Sequence, residues 1–264
     1  MRKHTRATDA LSSEYSDVGR SMTSKLKYLI PNAFTAVSML FGVYAFTLAA
    51  RGELELAAWM ILWGVLLDKL DGTAARLFNA TSEFGVQYDS FADFVVFGIA
   101  PAALLYFGAS SQPSSEIFTV PLVVAGLFIV ANSARLARFN VDSGDDDGVF
   151  IGIPTTLVGA LLASSYLVAR NHGWIELWIE WAPIAWIVCA VAMVSNVRLP
   201  KLKARKNRAI NLFQAANVIA IYLITPFQLY PEYHLGLCLF YLIVGIASQL
   251  LKKPSDGEHQ IQTA

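Results

Sequence analysis

Apolar runs long enough to cross a lipid bilayer recur eight times along the chain, separated by short polar stretches. They fall at about residues 30–49, 56–77, 87–108, 119–139, 152–170, 181–198, 210–229 and 234–251. A bilayer core takes about 20 mostly apolar residues per helix. The pattern therefore predicts an all-α, polytopic transmembrane helical bundle of about eight spans. Gly and Pro inside the runs are compatible with this, because neighbouring helices can satisfy the backbone groups they free. Trp59, Trp63, Trp174, Trp178, Trp181 and Trp186 fall mostly near predicted span ends, where interfacial aromatics sit. The cluster from Trp174 to Trp181 predicts an amphipathic segment lying on the membrane surface ahead of span six.

Composition sharpens the membrane assignment. Of the 264 residues, 55% are hydrophobic and only 15% charged, against about 25% charged in soluble domains. The net charge of zero identifies no partner, but the placement of the charges is informative. Arg2, Lys3, Arg6, Arg20, Lys25 and Lys27 precede span one, and Lys69 and Arg76 lie at the end of span two. Arg135 and Arg138 end span four, a basic run from Arg198 to Arg208 precedes span seven, and Lys252 and Lys253 follow span eight. All of these share one side if the N-terminus is cytoplasmic, leaving only Arg51 and Arg170 outside, so the positive-inside rule places both termini in the cytoplasm. The polar ends read as flexible tails without the apolar core of a signal peptide. The Arg198–Arg208 run flanks two spans, which favours anionic lipid head groups over nucleic acid. Cys189 and Cys238 lie in apolar runs as small hydrophobes, and His4, His172, His234 and His259 are dispersed in tails or external loops.

Chemistry concentrates between spans two and three, in DKLDGTAARLFNATSEFGVQYDSFAD. Asp68 and Asp71 are three residues apart, and Asp89 and Asp93 are four apart; each spacing puts a pair on one helix face. Two such helices joined by a short loop can converge four carboxylates on one point. At a membrane boundary such a cluster needs a counter-charge, and an all-Asp set favours Mg²⁺ or Mn²⁺ over zinc. Gly72 and Ala75 remove side-chain bulk beside the carboxylates. Arg76 offers a planar fork for a phosphate or a base edge, and Gly85 lets the two helices pack closely. Solvated loop charge is the bland alternative for any one Asp, but it does not account for two same-face pairs.

Asp68, Asp71, Gly72, Ala75, Arg76, Gly85, Asp89 and Asp93 match D-x2-D-G-x2-A-R-x8-G-x3-D-x3-D at every position. This is the signature of the CDP-alcohol phosphotransferase family, which the chain resembles over 26 residues. The resemblance implies transfer of a phosphatidyl or phospho-head group from a CDP-linked donor to an acceptor hydroxyl, with release of CMP. It implies that Asp68, Asp71 and Asp89 bind two metal ions, and that Asp93 is the general base and touches the second metal. It places Gly72, Arg76 and Ser82 on the cytidine diphosphate. It also implies six core helices and a homodimer. The chain then divides into a cytoplasmic tail (1–28), a six-span catalytic core (29–200), a basic loop with two added spans (201–251) and a second tail (252–264).

IPNAFTAVSMLFG in span one, DSFADFVVFGIAPA, ANSARLARFN and AMVSNVRLPK resemble the bacterial and archaeal branch that joins CDP-diacylglycerol to L-serine, with GIPTT standing where that branch has GLPxP. The resemblance implies a multi-pass protein of a prokaryotic inner membrane with a cytoplasmic active site. Asn32 and Thr35 resemble positions lining the nucleotide-lipid site, with helix-entry capping as the alternative. Arg135 and Arg138 lie three apart at the end of span four, and either could pair with a serine carboxylate; positive-inside charge or lipid-phosphate binding is the alternative. Asn132 and Asn140 could add hydrogen bonds to the acceptor. Glycerol 3-phosphate, inositol phosphate and choline remain rival acceptors, and an archaeal ether lipid a rival donor. A divalent-cation transporter is the rival from another class, but it would carry acidic residues at mid-depth, whereas these cluster at one face.

The orientation is directly testable. Residues 198–208 are expected to be cytoplasmic and 109–117 external. Single cysteines at Lys203 and Ser114 should react with an impermeant thiol reagent from opposite sides of sealed vesicles. Labelling of both from one side would overturn the span count.

Overall fold

The computed structural model describes residues 27–110, 119–142, 148–201 and 208–251. The two polar tails, the run Asp145–Asp147, the stretch 202–207 and Ser114 lie outside the described residues. Helix α1 spans Lys27–Ala50, and α2 spans Leu54–Leu77. Helix α3 (Glu83–Asp93) passes through a π-helical stretch, Phe94–Ile99, into α4 (Ala100–Ser110), forming one rod. Then follow α5 (Thr119–Val141), β1 (Val149–Ile151), α6 (Thr155–Asn171), α7 (Ile175–Val194), β2 (Arg198–Pro200), α8 (Arg208–Ile224) and α9 (Pro231–Leu250). Among the described residues this gives eight long rods, a polytopic helical membrane protein. Six of them are long and apolar enough to cross a bilayer by composition alone. Of the other two, α2 carries Asp68, Lys69 and Asp71, and α6 has 17 residues.

Helix α5 lies along α7, and α6 lies between α2 and α9. The core between them holds Trp186, Phe97, Phe128, Leu104 and Met193, all fully buried. Outward positions such as Leu122, Leu127, Ile184, Val188 and Ile243 are apolar and exposed, as a lipid-facing surface requires.

Four expectations are corrected. Trp174–Trp181 does not form a separate surface segment, because Ile175–Val194 is one continuous helix. Trp178 turns inward, donates from Nε1 to Ser165 Oγ at 3.2 Å and packs edge-on against Tyr166 and Trp186. Trp59 and Trp186 are core residues too. Span five begins at Thr155, since residues 149–151 pair antiparallel with 198–200 in a two-stranded ladder, with Phe150 opposite Leu199. His234 is buried in the first turn of α9, not held in a loop.

The tightest packing surrounds the π-helical stretch. Val96 is fully buried and lies against two glycines, Gly42 of α1 and Gly64 of α2. A side chain at Gly42 would meet Val96 at 2.9 Å, and one at Gly64 would overlap the Val96 Cγ1 methyl. Phe97 packs on Gly159 of α6, where a side chain would come within 2.6 Å of its ring. Small residues at such crossings let backbones approach where no hydrophobic force drives helices together in lipid.

The consequence can be measured in detergent. Gly64→Ala overpacks this crossing and is expected to cost about 1–3 kcal/mol, seen as a lowered Tm. Gly126→Ala in α5 meets nothing within 4 Å and should leave Tm unchanged. Equal Tm values for the two variants would contradict the packing account.

Candidate active site

Helix α2 ends in a turn that returns the chain at once. Phe78 N–H donates to Ala74 O, and Ala80 N–H donates to Ala75 O, with Asn79 at φ 48°. Ser82 then caps α3, its Oγ accepting from Gly85 N–H at 3.0 Å. This short connection sets the two Asp pairs face to face. One carboxylate oxygen from each of Asp68, Asp71 and Asp89 lies within 4.8 Å of the other two. Oxygens held this close repel unless a cation stands among them, and an all-oxygen donor set suits a hard divalent cation. Asp93 lies outside this triangle, within hydrogen-bonding reach of Asp68.

Two of the four carboxylates are oriented by a hydroxyl from another helix. Thr35 of α1 donates from Oγ1 to Asp71 Oδ2 at 2.8 Å. Thr155, fully buried at the start of α6, donates to Asp93 Oδ2 at 3.3 Å. Lys69 pairs with Asp68 at 3.7 Å from a largely exposed position. A side chain at Gly72 would meet only Arg76 Nη1, at 3.9 Å, so the space beside Asp71 is open. Arg76 is exposed above it, with a single long contact of 3.5 Å to Thr73 Oγ1. Ala75 is half-buried on the same turn. Asn32 approaches Gly85, where a side chain would come within 3.5 Å of its Oδ1.

The two arginines at the end of α5 have different duties. Arg138 donates from Nη1 to Val194 O at 3.0 Å, and its Nη2 lies 3.0–3.2 Å from the carbonyls of Met193, Ser195 and Ile151. Three of these carbonyls belong to the end of α7, where helical partners run out. Arg138 therefore caps α7 and binds β1 to it. Gly152, at φ +75°, makes room for this, since a side chain there would meet Met193 O and stand 2.6 Å from Arg138 Nη2. Of the two arginines that could hold an acceptor carboxylate, Arg138 thus has both terminal nitrogens on backbone carbonyls. Arg135 is buried, with its Nε lacking a hydrogen-bond partner. It lies in electrostatic reach of Asp93 and Asp68, with its guanidinium 5.1 Å from the Phe139 ring centroid.

The asparagines also serve as fasteners. Asn132 is fully buried and donates to Phe97 O at 3.1 Å, a carbonyl within the π-helical stretch. Asn140 donates to Ser90 Oγ at 3.0 Å and Gln87 Oε1 at 3.2 Å, tying α5 to α3. These bonds position helices, and the Asn132 Oδ1 is unpaired. Thr155 was missed from sequence; its position in GIPTT was visible, but nothing local connects it to Asp93, 62 residues away.

Residues 28–189 match the family model described as CDP-alcohol phosphatidyltransferase. Curated proteins similar to the chain carry the name CDP-diacylglycerol–serine O-phosphatidyltransferase. The one from Helicobacter pylori strain 26695 is 36% identical over 181 residues, covering 68% of this chain and 75% of its own. The one from Methanocaldococcus jannaschii is 33% identical over 187 residues, covering 71% and 81% respectively. The one from Bacillus subtilis strain 168 is 31% identical over 186 residues, covering 69% and 95%.

Asn in place of Asp68, Asp71 or Asp89 keeps the shape and removes one charged oxygen from the triangle. Each variant should bind Mn²⁺ about tenfold more weakly or worse, read by the free-ion signal in electron paramagnetic resonance. Wild-type affinity in any one would remove that residue from the centre.

Proposed function

The chain belongs to the CDP-alcohol phosphatidyltransferase family, and on that premise we propose that it transfers a phosphatidyl group from CDP-diacylglycerol to the hydroxyl of L-serine, giving phosphatidylserine and CMP. The observation that carries the chemistry is the triangle of Asp68, Asp71 and Asp89 with Asp93 beside it. The choice of acceptor rests on the printed names of the relatives and on the buried Arg135 with its unpaired Nε.

In this reading Asp68, Asp71, Asp89 and Asp93 would hold two Mg²⁺ or Mn²⁺ ions, which would supply Lewis-acid charge to the diphosphate. The open side at Gly72 and Ala75 receives the cytidine diphosphate, with Arg76 folded over it and Ser82 and Asn32 at its edge. Thr35 keeps Asp71 turned toward the centre. Thr155 donates to Asp93 Oδ2 and so orients the carboxylate that, as general base, would take the proton from the serine hydroxyl. The serine oxygen bonds to the β-phosphorus, and the bond from that phosphorus to the oxygen bridging to the α-phosphate breaks. The bridging oxygen leaves with CMP. Arg135 orients serine by its carboxylate, so the rate comes from placement and electrostatics. Residues 29–200 form the catalytic core, in a homodimer of a prokaryotic inner membrane with the site and both termini cytoplasmic.

Incubating purified protein with CDP-diacylglycerol, Mn²⁺ and labelled serine, glycerol 3-phosphate, inositol phosphate or choline tests the reading. Lipid should form from serine; faster formation from another alcohol would replace it as the acceptor.

The arginines divide the prediction. Arg135→Lys keeps charge but loses the two-pronged geometry. A charge-assisted hydrogen bond is worth about 1.5–3 kcal/mol, so the serine KM should rise about ten- to a hundredfold. Arg135→Ala should do more damage, and the CDP-diacylglycerol KM should stay within about twofold. Arg138→Lys should leave the serine KM unchanged and lower Tm. A rise confined to the CDP-diacylglycerol KM in Arg135→Lys would make this arginine a lipid-phosphate anchor.

A further inference from the structure

We propose that Tyr222 of α8 is a positioning residue for the carboxylate-bearing turn of α2, which makes the α8–α9 pair a working part of the active centre. The proposal rests on the reading of Asp68, Asp71 and Asp89 as a metal-holding group. Both helices lie beyond residues 28–189, the part that matches the family, and nothing in their sequence resembles catalytic machinery.

Helix α8 has no buried residue, so it is held to the bundle at few points. Tyr222 makes one of them, donating its hydroxyl to Leu66 O at 3.0 Å across 156 residues of sequence. Leu66 precedes Asp68 by two residues on the buried side of α2. The Tyr222 phenol also lies in electrostatic reach of both Asp68 and Asp71. A carbonyl has a second lone pair free after its helical bond, so the hydroxyl adds a fastening without breaking α2. In an apolar surround a phenolic hydroxyl has few other partners, which gives this bond a defined direction. It resists rotation of the turn that presents the two carboxylates, which repel each other and their neighbours on α3.

The remaining attachments show why the pair can serve as a brace. Thr225 and His234 are joined at 2.8 Å by Oγ1 and Nε2, and the His234 ring stands edge-on to Trp59 of α2 at 6.0 Å. Helix α2 is thus gripped at two levels, Trp59 and Leu66. On the other side, Tyr241 of α9 donates to Pro200 O at 2.7 Å. Gly245 lets β2 pass close by, since a side chain there would meet Leu199 at 2.7 Å. Strand β2 pairs with β1, which leads into Thr155 and so to Asp93. The pair spans both halves of the centre.

The test compares Tyr222→Phe with Tyr233→Phe in the full-length protein in detergent. Tyr233 donates to Asn217 Oδ1 at 2.7 Å within the same helix pair, so its loss disturbs α8 and α9 without touching α2. Tyr222→Phe is expected to lower kcat about three- to tenfold with both KM values within twofold. It should also weaken Mn²⁺ binding severalfold in the absence of substrate, read by electron paramagnetic resonance. Tyr233→Phe should match the wild type in all of these. Wild-type kcat and Mn²⁺ affinity in Tyr222→Phe would overturn the proposal, as would equal losses in both variants. If the wild type forms no lipid from any alcohol, the proposed reaction fails, while the Mn²⁺ comparison still decides the role of Tyr222.

Discussion

The approach of Val96 to Gly42 and Gly64 is the contact on which the site depends. Carboxylates on separate helices repel one another, and more strongly where water is scarce. Nothing in the four aspartates themselves draws α3 toward α2. The attraction comes three residues beyond Asp93, where the Val96 backbone closes on Gly42 of α1 and its side chain fills the space over Gly64 of α2. Dispersion over a close-packed crossing is the force available to helices in lipid. The π-helical stretch at this point widens the rod by one residue per turn, a feature often met at functional sites. It turns Val96, Phe97 and Gly98 toward three different neighbours: the glycines, Gly159 and Asn132. The fold therefore anchors the rod immediately after its last catalytic candidate, where a shift in packing would be felt by the carboxylates.

Polar groups in the bundle refine what packing brings together. Thr35 and Thr155 come from the first and sixth helices and each turns one carboxylate. Asn140 ties α3 to α5 through Gln87 and Ser90, and Asn132 holds the π-helical stretch. Arg138 places four carbonyls and, with Gly152, fixes the turn from which Thr155 emerges. Hydrogen bonds within membranes average well under about 1 kcal/mol, so no one of them decides stability. Their value lies in direction: each removes one rotational freedom from a group whose charge would otherwise push it away.

Much of this was legible in the chain. The apolar runs gave the rods because their length is set by bilayer thickness, and the i, i+3 and i, i+4 spacing of the aspartates gave the faces because helical geometry is fixed. What escaped were facts created only by contact between distant segments. Val149–Ile151 and Arg198–Pro200 pair across 47 residues, and three-residue strands carry no periodicity to betray them. Trp178 looked interfacial because indole favours that region, yet Ser165 supplies its N–H with a partner inside the bundle. Arg135 and Arg138 share spacing, charge and helix, and only the end of α7 beside Arg138 distinguishes them. Tyr222 belongs to the same class, a residue whose meaning is set by a carbonyl on another helix.

That distinction between the arginines also bears on how one bundle end can serve two substrates of opposite demands. The proposed donor presents a diphosphate, which seeks cations, and the proposed acceptor presents a carboxylate, which must be kept apart from four others. The two lie on different elements: the carboxylates stand on α2 and α3, whereas the buried guanidinium of Arg135 belongs to α5. Asp93 is the group with a neighbour on each side, Asp68 toward the triangle and Arg135 toward α5. An acceptor held by Arg135 would bring its hydroxyl to Asp93 while its own negative charge faced the arginine, away from the aspartates. Exchanging the duties of Arg135 and Arg138 would move that charge toward the end of α7, where Arg138 meets the carbonyls of Met193, Val194 and Ser195. Arg138 spends both of its terminal nitrogens on the end of α7 and on β1, whereas the Arg135 Nε has no partner, and under the proposed reading that difference is what assigns the acceptor carboxylate to Arg135.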